Sequence, residues 1–185
     1  MKLHHLFTTA VLMISLAAGS ALADDAKAKK QAEVRAATKT SLEKFYKADP
    51  KLKADVANAP GYAVFTTFGI SFLVGGGGGT GLAHNNKTKK DTFMSMAQGS
   101  AGMQAGLAES ETLFIFNTAK AMEEFVNKGW SGGGGGALQA GAGGKSVGAA
   151  GGGTPGMAFY TLTKNGLQAG VALEGSKFWK DKDLN

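Results

Sequence analysis

Glycine is the residue that most restricts this chain. Of its 29 glycines, all but Gly19 lie between Gly61 and Gly175, with unbroken runs at residues 75–79 and 132–136. A glycine in a helix interior costs about 1 kcal/mol relative to alanine, so this region is poor helical material. Within strands, glycine lets backbones approach closely and lets a sheet bend. Between the glycines stand runs rich in aromatic and β-branched residues at 62–68, 70–74, 92–96, 113–116, 157–163 and 167–173, and these read as strands. Lys164-Asn165-Gly166 places a hairpin signal between the last two. Asn85-Asn86-Lys87-Thr88-Lys89-Lys90 is a polar, basic turn, in which asparagine is expected to take the left-handed conformation. The uncharged span 57–86 reads as a buried strand pair rather than a membrane helix, because its glycine run suits close strand packing. Residues 131–136 are expected to form a flexible link, followed by weaker small-residue strands.

The segment before Gly61 has a different character. Residues 1–23 have the form of a secretory signal peptide: Lys2, an apolar stretch at 6–18, and Ala21-Leu22-Ala23 as the cleavage signal. Loss of Lys2 leaves 19 basic residues against 14 acids, a net charge of +5, which favours anionic surfaces without demanding nucleic acid. Export to the periplasm or beyond is the expected fate, and the absence of cysteine excludes disulfides and thiol acylation. Residues 24–59 contain no glycine and read as helix. Asp24 and Asp25 suit a helix start, and Val34, Leu42, Phe45 and Tyr46 supply a thin apolar stripe. Pro50 restarts a second short helix carrying Leu52 and Val56, and Pro60 ends it. The simplest role for this segment is to lay that stripe on the domain, and a membrane-surface helix is the sharper alternative.

One helix is expected inside the glycine-rich region. Asn117 or Thr118 can cap it, Ala119, Met122, Phe125 and Val126 share a face, and Gly129 can terminate it. The catalytic motifs do not hold together. Gly76-x-Gly78-x-x-Gly81 is matched trivially by poly-glycine and is followed by Leu82-Ala83-His84 rather than a helix start. Gly143-Gly144-Lys145-Ser146 lacks the first glycine of a phosphate loop, where Gln139 stands. Beyond residue 23 the chain has a single histidine, His84, which reads as a surface residue, so most nucleophile–base pairs and zinc sites are excluded. Glu109 and Glu111, two apart, would share a strand face but fit a solvated strand end best. No enzyme, cofactor or metal site is indicated. Cations cluster at Lys87, Lys89 and Lys90, and at Lys177, Lys180 and Lys182 around Phe178 and Trp179. Both clusters suit an anionic lipid surface.

Three stretches resemble the SYLF domain in order and spacing. They are Pro60-Gly61-Tyr62-Ala63-Val64-Phe65, then Gln98-Gly99-Ser100-Ala101-Gly102-Met103-Gln104-Ala105-Gly106, then Leu113-Phe114-Ile115-Phe116-Asn117-Thr118 with Ala121, Met122 and Phe125. The apolar-Gln-Ala-Gly word returns at 138–141 and 167–170 at unequal spacing, as similar strands of one curved sheet rather than a solenoid. The resemblance implies phospholipid binding through basic residues and an N-terminal helix, with phosphoinositides and actin as ligands of some eukaryotic members. Residues 27–47 match that helix in position, with Lys29, Lys30, Arg35 and Lys39 as its cationic side. The expectation is therefore an α+β chain: a signal peptide at 1–23, a helical segment at 24–60, and a β-rich core at 61–185. That core would be a curved antiparallel, glycine-rich sheet or partial barrel with one inserted helix. The expected function is binding of an anionic phospholipid membrane surface in the periplasm or envelope. The alternative is a glycine-rich structural protein that self-associates as a homo-oligomer.

Overall fold

The computed structural model describes residues 6–72, 76–99, 110–132, 156–169, 173 and 175–185, and within 6–23, 68–72, 76 and 168–169 it describes the backbone alone. Helix α1 (Leu6–Ala48) is followed by α2 (Lys51–Asn58), and Ala59 turns extended ahead of Pro60. Strands β1 (Gly61–Phe72), β2 (Gly76–Asn85), β3 (Asp91–Gln98) and β4 (Glu111–Phe116) come next. Helix α3 (Ala119–Lys128) separates these from β5 (Trp130–Ser131), β6 (Met157–Thr163), β7 (Gly166–Ala169) and β8 (Ser176–Lys180). All pairings are antiparallel, in the order β5-β8-β3-β2-β1-β4-β6-β7.

Period-two alternation sends each strand's side chains to two different layers. On β1, Ala63 and Phe65 face inward with Phe114, Phe116, Phe159, Phe178 and Trp130, and α3 adds Ala121, Met122 and Phe125. Tyr62 and Val64 face outward with Leu113, Ile115 and Tyr160, beneath Phe45 of α1 and Leu52 and Val56 of α2. The Trp130 ring, on one edge strand, lies 6.5 Å from that of Phe159 on the last strand but one at the other side. The sheet therefore curls into a half-barrel around its aromatic core. Gly81 stands beside Phe65 in the register, and a methyl group there would fall 2.5 Å from the Val64 carbonyl oxygen and 2.7 Å from Phe65 Cε1. The glycine leaves room for the ring.

Helix α3 is capped by Thr118, whose hydroxyl accepts from the Ala121 amide at 3.1 Å. It stops at Gly129, where φ is 75° and the amide donates to the Phe125 carbonyl. Positive φ is the reason glycine stands there.

Several expectations are corrected. The run at 62–68 and the start of that at 70–74, read as separate strands, belong to the one strand β1, whose partner in the expected strand pair is β2, built on the glycine run after residue 75. Asp24 and Asp25 lie along α1 rather than at its start. Ala119 is exposed, and Ala121 takes the buried place. The left-handed residue of the β2–β3 turn is Lys89 (φ 57°), because both asparagines are committed elsewhere. Asn85 Oδ1 accepts from the Lys87 and Thr88 backbone amides, and the Asn86 side-chain Nδ2 donates to the Val56 and Ala59 carbonyls. Ser131 is part of β5. Glu109, the run at 143–146, the link beyond 132 and the words at 103–106 and 138–141 lie outside the described residues.

Candidate anion-binding surface

Helix α1 lies across the outer face of the sheet, held by a stripe whose middle is polar. Val34, Thr38, Ser41 and Phe45 are buried, while Leu42 and Tyr46 are half-buried. Val34 packs with Leu82, Phe93 and Leu184. Polar anchors supplement this thin contact: Lys27 Nζ donates to the Asn185 carbonyl at 2.9 Å and Gln31 Nε2 to the Leu184 carbonyl at 2.8 Å. Lys44 pairs with Glu111 at the far end.

Arg35 is the central anchor. Its Nε donates to Asp91 Oδ2 at 2.8 Å, and its guanidinium lies 4.8 Å from the centroid of the Phe93 ring. The other Asp91 oxygen is 2.7 Å from His84 Nδ1, and the His84 ring is tilted against Tyr62 at 5.4 Å. Burial disfavours charge on Asp91, but the hydrogen bonds and charges of His84 and Arg35 outweigh it and hold the carboxyl below its ordinary value. Burial, with Tyr46 and Asp91 nearby, pushes the Tyr62 phenol up to about 12. His84 is thus half-buried in a polar cluster and is not the surface residue the sequence suggested. Its pairing follows from register, since His84 and Asp91 are cross-strand partners. No local signal marks the link to Arg35, 56 residues away.

The remaining cations converge on one end of the sheet, where β1 and β3 begin and β2, β4 and β8 finish. The turn bearing Lys87, Lys89 and Lys90 is fastened to α2 by Asn86, and all three lysines are exposed. Lys29 and Lys30 are exposed on the part of α1 that meets the C-terminal segment. The Asp181 amide donates to the Phe93 carbonyl, which ties that segment, with Lys180 and Lys182, to the start of β3. Burial works against the charge of Asp181. Hydrogen bonds from Ser95 Oγ and the Leu184 and Asp183 amides, together with nearby Lys30, outweigh burial and keep its carboxyl below the usual value. Lys39 is exposed further along α1, towards the other end. Among the described residues, Lys29, Lys30, Lys39, Lys87, Lys89 and Lys90 form no ion pair. Arg35 is the exception within the expected cationic set, because its charge is spent on Asp91.

Among the described residues no three metal-binding side chains meet. None of their helices is long and apolar enough to cross a membrane. An open cleft of about 270 Å³ between α2 and β4–β6 is lined by Asp55, Asn58, Pro60, Ile115, Asn117 and Tyr160, with no nucleophile–base pair among them.

The chain is similar to "Beta cell expansion factor A" of Aeromonas veronii, at 33% identity over 147 residues. That alignment covers 78% of this chain and 55% of the relative, so the chain spans about half the length of the curated relative it matches. Residues 97–185 match the family model described as "Ysc84: Las17-binding protein actin regulator". The chain carries a SYLF domain of the Ysc84 family. The matched residues of this SYLF domain hold β4 to β8 and only the last two residues of β3. In the sheet, β3, β2 and β1 stand between β8 and β4. The sheet that holds the matched residues is thus completed by residues 61–96, and α1 and α2 cover its outer face.

Proposed function

We propose that this SYLF protein is an exported, envelope-associated module that binds anionic phospholipid and catalyses no reaction. The observation that carries the reading is the convergence, at one end of the sheet, of lysines that form no ion pair among the described residues and come from three chain-distant places: Lys29 and Lys30 on α1, Lys87, Lys89 and Lys90 on the β2–β3 turn, and Lys180 and Lys182 at and after the end of β8. Phosphate-bearing surfaces attract such clusters with about 1 kcal/mol per lysine near the surface. Arg35 serves the seating of α1 instead, and Lys39 stands apart from the cluster.

The test is vesicle co-sedimentation of the chain from Asp24 onward, with neutral and anionic vesicles at low and high salt. A variant with Lys29, Lys30, Lys87, Lys89 and Lys90 changed to Gln should lose about three to four orders of magnitude in partitioning, at about 1 kcal/mol per charge. Raised salt should mimic that loss by screening. Equal binding to neutral and anionic vesicles, or salt-independent binding, would contradict the electrostatic reading. A complete absence of binding would turn attention to self-association.

A further inference from the structure

The two tryptophans of the chain have opposite fates. Trp130 is buried against Phe114 and Phe178, whereas Trp179 is 38% exposed and is the only large hydrophobic residue so exposed among the described residues. The cause is the alternation of β8. Ser176 and Phe178 point into the half-barrel, and Lys177 and Trp179 point out. Phe178 sits 4.7 Å from the Phe65 ring and 5.1 Å from that of Phe114. A one-residue slip would expose Phe178 and expel it from the core, so the indole is held outward.

The surroundings of Trp179 are cationic. Its cross-strand partner is Ser95, whose hydroxyl donates to Asp181 at 2.7 Å. Lys177 shares its face, Lys180 and Lys182 follow it, and Lys30 is close enough to act on Asp181. Among the described residues, the acids nearby are Asp181, already engaged by Ser95 and two amides, and exposed Asp183. A lone indole among lysines does not resemble a protein–protein interface, whose core is depleted in lysine. It does match the headgroup layer of a bilayer, where tryptophan is enriched and lysine amines meet phosphates.

We propose that Trp179 is an interfacial anchor, inserted at headgroup depth in an anionic phospholipid bilayer while Lys30, Lys177, Lys180 and Lys182 contact phosphate around it. This deepens the lipid-binding reading above and rests on it. The anchor fixes how the protein sits, with the outer face of β8 and the adjoining end of α1 against the membrane.

The test uses tryptophan emission with phosphatidylglycerol–phosphatidylcholine vesicles, with and without bromine on the acyl chains. In Trp130→Phe, which leaves Trp179 alone, vesicles should shift emission to shorter wavelength and brominated lipid should quench it. In Trp179→Phe, the emission of Trp130 should stay unmoved. Trp179→Ala should weaken vesicle affinity about tenfold or more, as expected for one large apolar side chain that loses its burial. If Trp130→Phe does not fold, the difference between wild type and Trp179→Phe gives the same reading. Vesicle binding with unmoved Trp179 emission and unchanged Trp179→Ala affinity would overturn the anchor and leave the lipid reading standing. An emission shift that depends on protein concentration without vesicles would overturn it in favour of self-association. Absence of vesicle binding in every variant would remove both.

Discussion

Gly81→Ala and Gly78→Ala differ in one physical respect, and the difference can be measured. Both glycines lie on β2, so alanine lowers the entropy of the unfolded chain equally at the two sites, by about 0.4–1 kcal/mol. In the folded protein a Cβ at Gly78 meets nothing closer than the Met96 carbonyl oxygen at 3.8 Å, an ordinary contact. At Gly81 it meets the Val64 carbonyl oxygen at 2.5 Å and Phe65 Cε1 at 2.7 Å. The Phe65 ring cannot retreat, because it is fully buried between Phe114, Phe125 and Phe178, with centroids 4.7–6.1 Å away. Overpacking of this kind costs about 1–3 kcal/mol. Gly81→Ala should therefore melt about 2–12 °C below Gly78→Ala for a chain of this size, and Gly78→Ala should match or exceed wild type. Thermal and urea unfolding followed by circular dichroism would report both. A Gly81→Ala protein as stable as Gly78→Ala would show that Phe65 is not packed as described, and the account of the curled sheet would fail with it.

Removal of the α3 cap by Thr118→Ala should cost about 1 kcal/mol, read as a lowered urea midpoint with an unchanged m-value. The Tyr62 phenol, pushed up to about 12, binds its proton more tightly folded than unfolded. Its stabilisation is complete below pH 10 and lost as pH rises from 10 to 12. Tyr62→Phe should flatten that part of the stability profile, and ultraviolet titration should show Tyr62 ionising later than Tyr46 and Tyr160, whose phenols burial also pushes up. Asp91 has the opposite sign: its lowered pKa gives stability that is present above the ordinary carboxylate range and lost as pH falls through the folded value. Asp91→Asn should reduce the acid-side slope. A fragment confined to residues 97–185 should show no cooperative unfolding, since β8 and β4 would have none of the three strands that stand between them.

Much of the fold was legible because its signals are local. The strand Met157–Thr163, the hairpin after it, the Thr118 cap and the Pro60 stop each depend on a few adjacent residues, and each stands where its chemistry indicates. The glycine run that becomes β2 was less legible. Glycine has no side chain to alternate, and its strand character comes from β1 and β3 on either side. The candidate site was legible as a list of cations but not as an arrangement. Nothing in the sequence separates Arg35, bound to Asp91, from Lys29, Lys30 and Lys39, which keep their charge free of ion pairs among the described residues.

The sequence by itself determined the class of the protein: a glycine-rich antiparallel sheet, a cationic helical segment before it, one capped helix within it, and SYLF-like words in order. Only the tertiary structure decided which side chains of each element face which layer. Phe178 and Trp179 are neighbours in a row of similar residues, yet one lies in the aromatic core and the other in solvent. Likewise Arg35 and Asp91, far apart in the chain, become a pair that seats α1. The physical reason is that propensity and capping act over a few residues, whereas burial and ion pairing depend on register and curl, which many distant contacts set together.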